Sequence, residues 1–592
     1  MEVFNDAEMR RIVALPRRPQ MTPEETSRAS SLLTSALRAP GGTRVLKPVQ
    51  AAALAEIYTY GKLFGALKPG AGKTDVTAVL PTLLKAQRSL LMVPATLKQK
   101  TLDELRGLRT EWRMPQVLDM TDRSDPNQPV LRVISYEMMS TVRCATFLEE
   151  YDPDLIMADE AHALGVLKAG RTRRTMRFIH SKRRKGKKCT FVPLSGSFWS
   201  RSFRRVAHLM EAALESGSPL PTEYNALEQW CFALDRGVNA GVRLEPGALL
   251  QLCSEEQRQE GIDGVRRAVR DRILSAPGVV ASKEAACGLP LILQRREVVV
   301  PDEVRTAMYN LRNDYVLPSG QSCEGGVVFW GQTMQVANGF SYYYDPPPPE
   351  EWKQAHSAWN AFVREAISNS RGTLDTPLQV WNKVEAGHFG SVPEWEAWRR
   401  IRHTFKAQPK PLWLSDYLVR DAEEWALEHG GIVWVQHSTA HTDEPDEDMI
   451  GGRFQKIPYF GAGNDAIRHH KGPCAASLRS HGTGKNLVQW HEALFMGLPS
   501  GGTTMEQVLA RLHRDKQQAD LVRFWFYAHS LENLNALESC LLDAAHVRDV
   551  AGEDQRILDA TLLDTDGGVF TVEAFREKMT QTGDPMWCAE QE

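Results

Sequence analysis

Short apolar runs that end in polar residues recur along the first third of the chain. Each run has the length of a buried strand, and helix-like segments separate the runs. This alternation favours an α/β fold with a doubly wound parallel sheet. Because ligands bind at the carboxyl ends of parallel strands, we expect the polar endings to line one edge of the sheet. The runs are Arg88–Leu97, Leu131–Met139, Pro153–Leu164 and Lys187–Trp199.

The stretch GKLFGALKPGAGKTDVTAVL, from Gly61 to Leu80, reads as a strand, a glycine turn and a helix. Glycine permits positive φ and a close approach of the backbone to an anion, and a helix N-terminus attracts phosphate. Lys73 would reach the β- and γ-phosphates, and the Thr74 hydroxyl would ligate Mg²⁺. Leu67 stands where such loops usually have a small residue, and we expect a small shift of the loop mouth to accommodate it. The predicted nucleotide-binding residues of the loop are Pro69, Gly70, Ala71, Gly72, Lys73 and Thr74.

The run LIMADEAHAL carries two adjacent carboxylates to the end of a strand. Asp159 is predicted to hold Mg²⁺, and Glu160 is predicted to orient and deprotonate an attacking water. A solvated acidic turn is the alternative interpretation, and the phosphate loop upstream favours the catalytic one.

Three polar residues near the C-terminal end have helical spacing. Gln507, Arg511 and Arg514 lie at i, i+4 and i+7, so a helix would present all three on one face. On spacing alone, a solvated basic helix face is favoured. The segment also resembles motif VI of superfamily 2 helicases, and that resemblance implies that the two guanidinium groups stabilise the charge of a γ-phosphate across a cleft as arginine fingers.

These segments together resemble superfamily 2 helicases and translocases, which are motors with two RecA-like lobes. Asp159-Glu160-Ala161-His162 resembles motif II, and ARLHRDKQQ is similar to motif VI of the Swi/Snf-like branch, with Lys516 where glycine is usual. SLRSHGTGKNLVQWHEALFM and VANGFSYYYD resemble segments of phage-encoded DEAD/DEAH-type helicases. The resemblance implies ATP and Mg²⁺ as cofactors, DNA as partner, and ATP-driven movement on DNA in phage or bacterial replication, repair or recombination.

Further motifs follow in the order of that family, and the resemblance implies their roles. Gln50 stands where the family reads adenine, Gln507 belongs to the nucleotide contacts, and LSGSF resembles motif III. VPATL, ISYEMM, GGIVWVQHST and CAASLRSHGTGKN resemble motifs Ia, Ib, IV and V. The implied nucleic-acid contacts are Pro94, Thr96, Ser135, Tyr136, Gln436, His437, Gly482, Thr483, Gly484 and Lys485.

The resemblance implies two RecA-like doubly wound lobes with a helical insertion and a helical linker. The expected segments are an N-terminal extension (1–44), lobe 1 (45–300, with the insertion at about 200–290), a mostly helical linking region (301–425), lobe 2 (426–535) and a C-terminal helical extension (536–592). We expect the tryptophans of the linking region to pack in a core rather than stack on bases. The extensions and the insertion are candidate surfaces for a protein partner.

Composition limits the other possibilities. A net charge of −3 gives no global basic signature, so nucleic-acid binding must rest on local patches. The basic run Lys168–Lys188 is too charged for a core, and it indicates either a phosphate-tracking segment or a solvated loop. No apolar run reaches membrane-spanning length, so we expect a cytoplasmic protein, in the bacterial host if phage-encoded, and no membrane partner. An RNA helicase and a nucleic-acid-binding scaffold with an inactive ATP site remain the alternatives.

Overall fold

A computed structural model of the chain describes residues 2–19, 21–68, 70–125, 127–196, 198–199, 202–236, 238, 240–282, 288–323, 326–370, 374–406, 409–436, 450–482, 484–514 and 517–587. The chain divides into two compact units. Unit 1 comprises Met1–Lys283, Gln354–Ile401 and His546–Glu553, and unit 2 comprises Glu284–Lys353, Arg402–Ala545 and Asp554–Glu592.

Within these described ranges the chain forms sixteen strands and twenty-three α-helices. The strands are β1 (Phe64–Ala66), β2 (Arg88–Val93), β3 (Gln116–Asp119), β4 (Val130–Ser135), β5 (Leu155–Asp159), β6 (Thr190–Ser195), β7 (Val279–Ala281), β8 (Leu291–Arg296), β9 (Phe340–Tyr344), β10 (Pro409–Trp413), β11 (Ile432–Val435), β12 (Tyr459–Phe460), β13 (Cys474–Ser477), β14 (Glu492–Phe495), β15 (Val522–Tyr527) and β16 (Thr561–Leu563).

The helices are α1 (Ala7–Ala14), α2 (Pro23–Leu37), α3 (Pro48–Tyr60), α4 (Lys73–Leu83), α5 (Ala95–Leu108), α6 (Tyr136–Ser140), α7 (Phe147–Tyr151), α8 (Gly170–Arg184), α9 (Ala207–Leu214), α10 (Tyr224–Leu234), α11 (Glu255–Gln259), α12 (Gly261–Leu274), α13 (Asp302–Asp314), α14 (Gly326–Ala337), α15 (Glu350–Asn369), α16 (Pro377–Glu385), α17 (Pro393–Ile401), α18 (Tyr417–His429), α19 (Leu478–His481), α20 (Gly502–Leu512), α21 (Leu531–Ala551), α22 (Arg556–Asp559) and α23 (Val572–Thr580).

Unit 1 is built on a parallel sheet in which the described strands have the order β3-β4-β2-β5-β6-β1-β7. Successive strand residues point to opposite faces. Leu90 and Met92 therefore pack in one apolar cluster, while Leu91 and Val93 pack in another. A parallel sheet buried on both faces is what the apolar runs predicted, and their polar endings share one edge because every pairing in this sheet is parallel.

Unit 2 contains a second parallel sheet, in which the described strands have the order β12-β13-β11-β14-β15-β8-β16. β9 and β10 form a separate antiparallel pair. The chain is therefore α/β with two parallel sheets of seven described strands each. In the part of the chain that the structure covers, no helix combines the length and apolar character needed to cross a membrane.

Three predicted boundaries differ from this division. Leu291–Arg296 forms β8 of the second sheet, although the sequence assigned residues up to 300 to lobe 1. The region after 536 is more than a helical extension, because β16 pairs with β8 and Phe570 is 3% exposed. Residues Gln354–Ile401 of the predicted linking region belong to unit 1. Each difference arises because the packing partner lies far away in sequence.

Four tryptophans of the linking region pack as expected. Trp359 and Trp395 lie in a small apolar core formed by α15, α16 and α17, and Trp381 and Trp398 pack against it.

The prediction that the basic run Lys168–Lys188 is too charged for a core, or forms a solvated loop, is wrong, whereas its contact with phosphates stays a prediction. Much of the run forms α8, and Arg174 and Lys182 are buried on it. Their charges are tolerated because each is paired, Arg174 with Asp375 and Lys182 with Asp152.

The C-terminal residues should contribute to the core of unit 2. We expect Phe570→Ala to destabilise the unit by about 3–5 kcal/mol, because it leaves a cavity beside β15. The neighbouring Val569 is 81% exposed, so Val569→Ala is the matched control and should change little. Thermal unfolding of both variants measures the difference, and equal midpoints would contradict this role for the C-terminal region.

Candidate functional site

The candidate site lies where β1, β5 and β6 of unit 1 end. β6 lies between β5 and β1, with Asp159 opposite Leu194 and Ala66 opposite Ser195 in the register. The loop that follows β1, the acidic pair that ends β5 and the hydroxyl that ends β6 are therefore brought to one edge.

The loop before α4 depends on glycine. Gly70 and Gly72 have φ of +92° and +79°, a region that side chains rarely adopt. A Cβ on Gly72 would lie 2.0 Å from the Gln50 amide nitrogen, so there is also no room for a side chain at this position. Ala71 between them is buried. Pro69 lies outside the described residues.

Helix α3 holds this loop from one side. The Gln50 amide nitrogen donates to the Gly72 carbonyl at 3.0 Å, and Lys47 Nζ donates to the Gly70 carbonyl at 3.1 Å. The Gln50 amide oxygen accepts from the Lys47 backbone N–H at 2.7 Å. Gln50 therefore positions the loop, whereas its contact with adenine remains a prediction.

The bulky Leu67 side chain packs in the core of unit 1. Its side chain is fully buried in the apolar cluster that contains Val76 and Val79 of α4. On the other side of the turn, the Ser282 hydroxyl accepts from the Lys68 N–H at 2.9 Å. Packing in this cluster therefore accommodates the side chain.

Lys73, the first residue of α4, joins the loop to the acidic pair. Its Nζ lies 2.8 Å from Glu160 Oε1 and 3.9 Å from Asp159 Oδ1, and its side chain is 10% exposed. An ammonium group beside two partly buried carboxylates compensates charges that would otherwise be costly to bury.

The pKa values of Asp159 and Glu160 are shifted in opposite directions. Burial raises the pKa of Asp159 to about 6, and the neighbouring Glu160 charge adds to this, while Lys73 opposes it. Burial also acts to raise the pKa of Glu160, but Lys73 and His162 outweigh it and hold that pKa well below its ordinary value. Glu160 therefore stays ionised at neutral pH, as a group that accepts a proton from water must.

Glu160 adopts a strained backbone conformation, with φ of +52°. Strain of this kind persists where the surroundings fix it. The Ser195 hydroxyl donates to Glu160 Oε2 at 3.2 Å, and His162 Nδ1 lies 3.0 Å from the Ser195 oxygen. When Ser195 donates to the carboxylate, its oxygen accepts from His162, so both residues orient Glu160.

Tyr136 fixes the backbone of the other acidic residue, Asp159. Its hydroxyl donates to the Asp159 backbone carbonyl at 2.7 Å, and the side chain is 1% exposed. Burial raises the pKa of Tyr136 well above its ordinary value, so the hydroxyl keeps its proton. Ser135 is also buried, and its hydroxyl accepts from the Met138 N–H to cap α6. This placement corrects the predicted nucleic-acid contacts at Ser135 and Tyr136, because both side chains are engaged inside the unit.

Other predicted contacts lie at the same edge. Pro94 precedes α5 and is partly exposed, and Thr96 in its first turn is exposed. The Ala95 N–H at this helix end donates to Glu137 Oε2 at 2.9 Å. Thr96 therefore remains accessible to a ligand.

The residues present fit a magnesium nucleotide. Thr74 in the first turn of α4 and Asp159 at the end of β5 offer the oxygen ligands that Mg²⁺ prefers, and the remaining positions of this ion are commonly filled by water and phosphate. The N-terminus of α4 and Lys73 provide positive charge for the phosphates.

In unit 2, the predicted arrangement of motif VI is wrong. α20 ends at Leu512, so Arg514 lies beyond the helix and does not share a face with Gln507 and Arg511. Arg511 is buried, and its guanidinium donates to the carbonyls of Gln507 at 2.9 Å and Lys485 at 2.8 Å. In this structure Arg511 braces the loop after α19, so the arginine-finger prediction is carried by Arg514 alone.

The prediction that Lys485 contacts nucleic acid is also wrong. Its Nζ lies 2.7 Å from Asp465 Oδ1 and 2.6 Å from His481 Nδ1, and the residue is 8% exposed. Burial lowers the pKa of Lys485 and lowers that of His481 to about 4, so His481 is a neutral acceptor at neutral pH. Gly482 is buried as well, and Gly484 has φ of +75°.

The remaining predicted contacts of unit 2 are near the end of β11 and after α19. Gln436 follows β11 and is partly exposed, and its amide nitrogen is placed to donate to the Leu498 carbonyl at 2.6 Å. His437 and Thr483 lie outside the described residues.

No protein-family model matches the chain, and no curated protein matches it.

The side chains of Ser195 and His162 were not among the predicted catalytic residues. His162 lies on the turn that directly follows Glu160, and Ser195 ends β6, which lies beside β5 in the sheet. The apolar runs do not show which strands are neighbours, so the sequence carried no direct signal for the contact between Ser195 and Glu160.

Leu67 should be a packing residue. Leu67→Ala is expected to destabilise unit 1 by about 2–5 kcal/mol, because the cavity would be lined by α4 and β1. Leu32→Ala serves as control, since Leu32 of α2 is 65% exposed. Chemical denaturation of the two variants measures the effect, and a Leu67→Ala protein as stable as the control would refute the packing role.

Arg511 should be structural. Arg511→Lys is expected to cost about 1–3 kcal/mol, because a lysine cannot satisfy the separate buried carbonyls that the guanidinium contacts. Arg479→Lys is the control, because Arg479 of α19 is exposed. Thermal unfolding distinguishes the two, and an unchanged midpoint for Arg511→Lys would contradict the bracing role.

Proposed function

We propose that the chain is an ATP-dependent helicase or translocase that acts on DNA through two RecA-like lobes. The observation that carries the proposal is the position of Lys73 Nζ, at the head of α4 and 2.8 Å from Glu160. This contact joins a glycine loop suited to phosphates to a carboxylate suited to activating water.

The site residues of unit 1 have defined roles in the proposed reaction. Lys73 leaves Glu160 for the phosphates when the nucleotide binds, and Glu160 then accepts a proton from the attacking water. Thr74 and Asp159 hold Mg²⁺, and Ser195 and His162 keep the Glu160 carboxylate oriented. When bound, Mg²⁺ neutralises charge on the β- and γ-phosphates.

The DNA part of the proposal has separate support. The order of the motifs resembles that of Swi/Snf-like motors, and exposed Thr96 lies beside the carboxyl end of β2 in unit 1. Arg514 is the residue of unit 2 that we propose to stabilise charge on the γ-phosphate. RNA as the substrate and an inactive ATP site are the alternatives that the experiment below separates.

ATP hydrolysis by the full chain is the direct test. We expect hydrolysis to be stimulated by DNA, and we expect Lys73→Ala to abolish it. Glu160→Gln should lower kcat by about 10²–10⁴-fold, because it removes the general base. Rates are measured without nucleic acid and with single-stranded, duplex and forked DNA and RNA.

Two surface variants control for nonspecific effects. Lys85→Ala removes an exposed ammonium just beyond the other end of α4, and Glu149→Gln neutralises an exposed carboxylate of α7. Both should behave as wild type. Stimulation by RNA alone would contradict DNA as the substrate and would favour an RNA helicase. A rate no higher than that of Lys73→Ala on every substrate would overturn the proposed ATPase.

A further inference from the structure

A buried ion pair connects the helical segment of unit 1 to the helix that follows the acidic pair. Arg174 of α8 donates from Nε to Asp375 Oδ2 at 2.7 Å and from Nη2 to Asp375 Oδ1 at 2.6 Å. Both side chains are 1% exposed, although they lie 201 positions apart in the chain. Asp375 precedes Thr376, the N-cap of α16, and its carbonyl approaches Gly170 at the start of α8 closely enough to meet an added Cβ at 3.5 Å.

Arg174 is also connected to Asp159 through α6. Its Nη1 donates to the Met139 carbonyl at 2.8 Å and to the Thr141 carbonyl, at the C-terminal end of α6. The first residue of α6 is Tyr136, whose hydroxyl holds the Asp159 carbonyl. One guanidinium therefore links Asp375 to the helix that supports Asp159.

A second route runs along α8 itself. Arg171 Nε donates to the Ala163 carbonyl at 2.9 Å, and the Thr172 hydroxyl donates to the Leu164 carbonyl at 3.2 Å. These carbonyls belong to the 3₁₀ turn Ala161–Leu164 that directly follows Glu160. The position of α8 thus constrains the backbone on the far side of the strained Glu160.

We propose that Asp375 is a positioning residue for the acidic pair, acting through Arg174, α6 and α8. The helical segment Gln354–Ile401 then contributes to the catalytic geometry of unit 1, although it is inserted between β9 and β10 of unit 2. The catalytic consequence rests on the proposed ATPase activity, whereas the effect on backbone geometry does not.

The physical reason is the fork geometry of the pair. Two parallel N–H···O bonds fix the guanidinium plane, so its third nitrogen, Nη1, is aimed at the carbonyls that end α6. Neutralising Asp375 leaves a buried guanidinium with its charge uncompensated, and α8 has to move or open to hydrate it. A displacement of about 1 Å at a catalytic carboxylate is enough to lower the rate about 100-fold.

The test compares Asp375→Asn with Glu385→Gln, an exposed carboxylate on α16 of the same segment. Amide hydrogen exchange of the full chain is the deciding measurement, because it needs no nucleotide. We expect faster exchange in α6 and in residues 160–165 of Asp375→Asn, and wild-type exchange in Glu385→Gln. Unchanged exchange in those segments would overturn the inference.

ATP hydrolysis supplies the second readout. If wild type hydrolyses ATP, Asp375→Asn should lower kcat by about 10- to 100-fold with KM within about twofold, because the nucleotide loop is untouched. An unchanged kcat would overturn the catalytic role. If wild type does not hydrolyse ATP, the proposed function fails, and hydrogen exchange still decides whether Asp375 positions the acidic pair.

A milder variant keeps the test decisive if Asp375→Asn misfolds. Asp375→Glu retains the charge but moves the carboxylate by one methylene, so we expect exchange and kcat between those of wild type and Asp375→Asn. Should Asp375→Asn be insoluble, wild-type exchange and kcat in Asp375→Glu would count against the inference, and faster exchange with lowered kcat would support it.

Discussion

The ion pair of Lys73 with Glu160 is the interaction on which the candidate site depends. It joins the first residue of α4 to the residue that follows β5. β1, the strand before α4, and β5 are separated in the sheet by β6. The pair can form only if the parallel register places the ends of β1, β5 and β6 at the same level. The core that fixes this register is therefore part of the site, and Leu67, which departs from the usual loop pattern, belongs to that core.

The central strands could be predicted because their apolar runs are local and continuous. β2, β4, β5 and β6 each bury nearly every residue, so their sequences carry the signal without knowledge of their neighbours. Edge strands gave no such signal. β7 and β16 have three residues each, and their membership in a sheet depends on pairing with residues far away in the chain. The sequence also could not tell that β8 pairs with β15 of the second sheet.

The positions of site residues could be predicted where the local backbone conformation requires a particular residue type. Gly70 and Gly72 need positive φ, and the carboxylates must follow a buried strand, so spacing alone located them. Spacing failed for Arg514 because it assumes that the helix continues, and α20 ends at Leu512. The Lys485 contact came from the resemblance to motif V rather than from spacing, and it failed because Asp465 and His481 enclose that ammonium in unit 2.

The pair Arg174–Asp375 poses a different question, since a buried ion pair is a poor source of stability. Two apolar residues of similar size would cost less to desolvate and would often be as stable. An apolar contact, however, permits small shifts of one helix along another, whereas a bidentate guanidinium contact fixes both distance and orientation. The same guanidinium also donates to the carbonyls that end α6, so an apolar replacement would leave buried acceptors unsatisfied. The ion pair is thus better explained by geometry than by stability, and the geometry that it fixes is that of the helices next to Asp159 and Glu160.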